Sequence, residues 1–144
     1  MAEKNLIKIY VNATSAKRVD IIIRHYTDFM GIVDGYTEGL RYMINCDFSG
    51  DVMDGVDRAD EYMRDAYLLR NMRKDYELFR RQLCILGTEK ETFEKYLCGE
   101  KNLVDIAEEQ GITYESAQQK IHKIRSRVKK QVIGFMDGRM GGIA

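Results

Sequence analysis

Between Ser116 and Gln131 the chain carries six cationic side chains (Lys120, Lys123, Arg125, Arg127, Lys129 and Lys130) and no Asp or Glu. The whole chain is neutral, with 23 Lys and Arg against 23 Asp and Glu, so this charge has been segregated. Cations gathered on one helix neutralise phosphates, and Gln and His among them can read base edges. At about 100° per residue, one face of such a helix carries Glu115, Gln119, His122 and Ser126. Gln118, Lys123, Lys129 and Lys130 flank it. The expected chemistry is recognition of double-stranded DNA. Gln118, Gln119, His122 and Lys123 would enter the major groove. Thr113 and Tyr114 would meet the backbone at the helix start, where free N–H groups face phosphate. Arg125, Arg127, Lys129 and Lys130 would supply a salt-sensitive phosphate grip, although Arg125 and Arg127 also border the apolar stripe and can serve structure.

The elements that must position this face are written in the same stretch. Asn102 is a helix N-cap, and Asp105 places a carboxylate near the positive helix end. Leu103, Ile106 and Ala107 give a short helix its apolar face, and the small Ala107 lets a second helix cross closely. Gly111 fits the left-handed position after a helix, Ile112 plugs the space between the helices, and Thr113 caps the next one. Ala117, Ile121, Ile124 and Val128 follow at steps of four, three and four, one buried stripe. Thr88 with Glu91 reads as a capping box opening a bracing helix. Phe93, Tyr96 and Leu97 form its apolar face, and Gly99 ends it. The expected unit is three helices, 89–98, 103–110 and 114–136.

These residues resemble a known family. GITYESAQQKIHKIRSRVKK is similar to the last helix pair of bacterial sigma factors, the region-4 domain that reads the upstream promoter element, and most resembles the extracytoplasmic-function branch. The match rests on Gly111-Ile112-Thr113, Ala117, Ile121-His122-Lys123, Arg125 and Arg127, with Leu103 to Gln110 as the preceding helix. The family usually has a larger Val at Ala117. The likeness covers about the last third of the chain. There is no Trp and no upstream aromatic-basic cluster to match the domain that melts promoters, so the resemblance implies the reading domain rather than a complete sigma factor.

Length and composition bound the remainder. At 144 residues and 44% hydrophobic content, one compact domain or two small helical units is expected. No apolar run approaches the roughly 20 residues that cross a bilayer, and the N-terminus lacks a signal-peptide pattern. Cys46, Cys84 and Cys98 are odd in number and widely spaced, as in a reduced, cytoplasmic protein, and each reads as a small core residue. Pro is absent, which suits an all-α chain. His25 and His122 are far apart, and no nucleotide, metalloprotease or hydrolase motif occurs, so the reading is not an enzyme and needs no cofactor. The acidic set Asp47, Asp51, Asp54, Asp57, Asp60, Glu61 and Asp65 is interleaved with Arg58 and Arg64 and misses the spacing of a calcium loop. It reads as a solvated helix face rather than a metal site.

Upstream, Val19, Ile22, Tyr26, Phe29, Val33, Tyr36, Leu40 and Met43 recur at steps of three and four, as do Leu69, Met72, Tyr76, Phe79, Leu83 and Leu86. Two long helices, roughly 15–44 and 52–86, are expected, joined by the turn residues Asn45 to Asp51. Leu6 to Val11 reads as a short strand or an extended arm, and a lone strand would need a partner such as its copy in a second subunit. Gly31, Gly35 and Gly39 cost about 1 kcal/mol each in a helix. They predict a break or kink near Gly35 or, failing that, close approach of a neighbouring helix.

The expected layout is all-α: residues 1–87 a helical oligomerisation or partner-binding region, 88–136 the helix-turn-helix, and 137–144 a flexible tail. As a whole it is similar to phage late-transcription activators of the autolysin-regulator (ArpU-like) type, a likeness that rests on size, element order and phrases such as Arg24 to Gly31. This resemblance implies a phage or prophage regulator that binds promoter DNA, with an N-terminal half that forms a homodimer or contacts RNA polymerase. Two other readings stand beside it. One is a phage terminase small subunit. The other is a protein-docking inhibitor or adaptor whose acidic stretch mimics nucleic acid.

Overall fold

The computed structural model describes residues 2–47 and 52–141, with side chains over 6–45 and 61–138. It is all-α. Its helices are α1 (Ala2–Val11), α2 (Ser15–Arg24), α3 (Phe29–Asp47), α4 (Val52–Leu83), α5 (Glu89–Leu97), α6 (Leu103–Gln110) and α7 (Tyr114–Gly141), with one 3-10 turn at Cys84–Leu86. No helix among the described residues is long and apolar enough to cross a membrane.

The long helices α3 and α4 pair as a hairpin, and α7 packs against α2, α4 and α6. A single buried cluster runs from Tyr10 through Phe29, Met72 and Phe79 to Phe93, Ile106 and Met136. Packing is therefore continuous across residue 87, where the N-terminal region was expected to end.

An aromatic hub ties the first four helices together. The Phe29 and Tyr76 rings stack with centroids 5.4 Å apart, Tyr10 tilts against Phe29 at 5.7 Å, and Tyr26 meets Phe79 edge-on at 5.9 Å. Such pairs contribute on the order of 1 kcal/mol beyond the area they bury. Beside them the buried Tyr10 hydroxyl donates to Asp75 Oδ2 at 2.6 Å. Arg18 lies over the Tyr10 ring and donates to the carbonyls of Tyr10 and Val11, closing the C-terminal end of α1.

Several expectations are corrected. Leu6 to Val11 is helix, not strand: Leu6 and Tyr10, four residues apart, are buried while Ile9 stays exposed, so helical spacing decides what the core covers. The segment 15–44 is two helices, and the break falls at residues 25–28, not near Gly35. The apolar stripe crosses that break intact, with Tyr26 and Phe29 both buried, which is why periodicity conceals it. The break is held by polar bonds. Tyr76 donates its hydroxyl to the Tyr26 carbonyl at 2.9 Å, and Tyr26 donates its own to Glu94 Oε1 at 3.0 Å.

At the other end, α7 continues to Gly141, past the expected helix end at 136. Asp137 accepts a bond from Ser15 Oγ at 2.7 Å; residues 142–144 lie outside the described residues. Thr88 is helical and makes no capping bond, so the expected capping box with Glu91 does not form; Glu91 instead pairs with Lys95 one turn on. Cys84 is exposed rather than a core residue, and Cys98 is half-buried; the Cys46 side chain lies outside the described residues, as do residues 48–51 of the expected turn and the side chains of Asp47 to Asp60. Met43, expected on the stripe, is exposed.

Helix α3 runs unbroken through Gly31, Gly35 and Gly39, and a Cβ built on any of them would meet nothing within 4 Å. Among the described residues, neither a kink nor a close approach uses these glycines. Gly35→Ala should therefore raise stability by about 0.5–1 kcal/mol, because Ala loses less backbone entropy in a helix. Urea denaturation measures this. A loss of stability would instead show that a helix of a second copy packs there.

Candidate nucleic-acid interface

The turn that sets α7 on α6 forms as its residues require. The Asp105 N–H donates to Asn102 Oδ1 at 2.9 Å, and the Asn102 N–H donates to Asp105 Oδ2 at 3.0 Å, a reciprocal capping box. Gly111 closes α6 at φ 63°, the left-handed region where a side chain is strained. Thr113 Oγ1 accepts the Ser116 N–H at 3.1 Å and donates to Ser116 Oγ at 2.9 Å. The Thr113 hydroxyl is thus occupied in starting α7, and Tyr114 beside it is half exposed.

The stripe Ala117, Ile121, Ile124 and Val128 is buried, and Val132 and Met136 extend it at the same step of four. That extension was written in the sequence and marks α7 as a core strut over about twenty residues. On the opposite face Glu115, Gln118, Gln119, His122 and Lys123 are all exposed and line one open depression of about 420 Å³. Ser126 and Lys130 continue that face, also exposed. The four residues expected to read bases therefore share one accessible surface on the first three turns of α7.

The expected phosphate grip is divided. Lys129 Nζ donates to both Asp20 carboxylate oxygens at 2.8 and 3.0 Å, with Arg125 3.9 Å from the same carboxylate. Arg127 pairs with Glu89 at 3.3 Å, and Lys120 donates to Gln110 Oε1 at 2.8 Å. Helix α2 therefore flanks one side of α7 and α5 with α6 the other. Lys123 and Lys130 are the two cations of this segment with no such partner among the described residues. The partners Asp20 and Glu89 sit 109 and 38 residues from the cations they meet, and nothing in the local pattern announces them.

Helix α5 is braced from behind. The Tyr26 phenol is pushed above its ordinary pKa, first by burial and then by its bond to Glu94, and burial raises Tyr76 as well. Both hydroxyls stay protonated and available as donors at neutral pH, so Tyr26 ties α5 to the break between α2 and α3, and Tyr76 ties that break to α4. Among the described residues no three His, Cys, Asp or Glu side chains gather as a metal would need.

No protein-family model, curated protein or solved structure matches the chain.

Removing the cap that orients α6 tests the turn. Asn102→Ala should cost about 1 kcal/mol, read by thermal unfolding; no change would show that water replaces the bond without loss.

Proposed function

We propose that this protein is a sequence-reading DNA-binding regulator, of the kind phages and prophages encode, that lays the exposed face of α7 in the major groove of promoter DNA. The observation that carries the reading is the single open surface formed by Gln118, Gln119, His122 and Lys123 on a helix whose opposite face is locked in the core. A rigid mount matters because bidentate reading of a base edge tolerates little misplacement. Gln118 and Gln119 present the amide pairs that match adenine, and His122 and Lys123 suit guanine acceptors. Tyr114 and the first N–H groups of α7 face the phosphate backbone. Lys130 grips phosphate directly, and Arg125, Arg127 and Lys129 do so while sharing Asp20 and Glu89.

The N-terminal half supports assembly in this reading. Tyr42 and Met43 on α3 and Met63 and Tyr67 on α4 leave more than half of their surface exposed, apolar area that suits a second copy or RNA polymerase. A homodimer would set two α7 helices about one DNA turn apart, roughly 34 Å, on a two-part site.

Docking on a protein is the second reading, favoured by the half-exposed Val104 and Tyr114 on the helix pair and by the internal pairing of three α7 cations. Gln119→Ala separates the two. On a duplex the protein selects, the variant should lose on the order of 1–3 kcal/mol of binding, and on random duplex almost nothing. Equal losses on both, measured by fluorescence anisotropy, would remove Gln119 from base reading.

A further inference from the structure

Where α1 turns into α2, a groove of about 640 Å³ is lined by Lys8, Ile9, Asn12, Lys17, Asp20 and Arg24. Lys8, Lys17 and Arg24 are exposed, and among the described residues none of them meets a carboxylate. The one acid in the groove, Asp20, is already bonded to Lys129 of α7. Three unpaired cations thus surround one satisfied carboxylate, and the local field is positive although the chain is neutral.

The position of this groove relative to α7 decides what it fits. Asp20 lies between Lys17 and Arg24 on α2, and its contacts to Lys129 and Arg125 fix where α2 meets α7. Arg125 and Lys129 follow Gln118 and His122 by seven residues each, two helical turns along the same flank. The groove therefore lies on the same flank of α7 as Gln118 and His122, about two turns, roughly 10 Å, farther along the helix. Lys17 and Arg24 are seven residues apart, about 10 Å along α2, which spans roughly three base pairs of duplex axis.

We propose that Lys8, Lys17 and Arg24 form a second phosphate-binding surface, outside the helix-turn-helix, that holds the backbone of the same duplex read by α7. The inference rests on the DNA-reading proposal and extends it: the cations of the α1–α2 groove supply the sequence-independent grip that Arg125 and Lys129, shared with Asp20, supply only in part. Continuity with the reading face favours a nucleic-acid backbone over an acidic protein segment as occupant, since one polyanion then spans both surfaces.

The test uses the full chain, a random-sequence duplex and anisotropy titrations across a salt series. Each lost phosphate contact removes about 0.9 from the slope of log affinity against log salt. The variant Lys8→Gln/Lys17→Gln/Arg24→Gln should therefore show a slope shallower by about 2–3, with binding weaker at every salt and the selected sequence unchanged. All three side chains are exposed, and circular dichroism checks that the fold persists. Asp20→Asn should act in the opposite sense, tightening random-duplex binding by releasing Lys129 and Arg125.

An unchanged slope in the triple variant, alongside a shallower slope in Lys123→Gln/Lys130→Gln, would overturn the second surface and leave α7 as the reader. Loss of binding to an acidic peptide with duplex binding intact would overturn it in favour of a protein partner. A native chain that binds no duplex at any salt would overturn both proposals together.

Discussion

Helix α7 has to bury one face and expose the other over most of its length, and the rest of the structure is arranged around that demand. Ala117, Ile121, Ile124, Val128, Val132 and Met136 are all buried, and a fully buried aliphatic side chain contributes about 1.5–3 kcal/mol. No single neighbour covers so long a stripe. Helices α6, α4 and α2 share it, and their places along α7 determine what remains open. Because α2 and α5 occupy the two flanks, the face left open between them carries Glu115, Gln118, Gln119, His122, Lys123, Ser126 and Lys130.

Polar contacts then fix how the covering helices sit. Tyr26 lies at the break between α2 and α3, donates to Glu94 of α5, and accepts through its carbonyl from Tyr76 of α4. One residue thereby registers four helices. Asp20 and Glu89 do similar work at the α7 surface, although partly exposed ion pairs contribute only about 0–1 kcal/mol each. Their larger effect is on charge. Along 116–131 they engage Arg125, Arg127 and Lys129, leaving Lys123 and Lys130 without an ion-pair partner among the described residues, and they bring the cations of α2 up beside α7.

What the sequence made legible was local. The Asn102–Asp105 reciprocal cap, Gly111 in the left-handed region and the four-three-four stripe all depend on residues within about one turn of each other, and all form as their chemistry dictates. The heptad-like runs likewise located the buried faces of α2, α3 and α4. The misreadings share a cause, which is that tertiary contacts overrode a local signal. The β-branched look of Leu6 to Val11 yielded to the helical spacing of Leu6 and Tyr10 against the core. Thr88 adopts helical geometry after the Cys84–Leu86 turn and so cannot cap. The break at residues 25–28 carries no Gly or Pro and preserves the apolar phase, so only the Tyr26 contacts reveal it. The pairing of Lys129 with Asp20 is of the same kind: charge segregation along a sequence does not report which charges stay free once distant helices pack.

Selecting binding sites from a random duplex library, at low and at physiological salt, asks whether the open face of α7 reads DNA sequence. A base-reading α7 should yield a recovered motif that persists at the higher salt, because base contacts are less salt-dependent than phosphate contacts, and a repeated half-site if two copies bind together. Recovery of duplex without any motif, or no recovery at either salt, would contradict it.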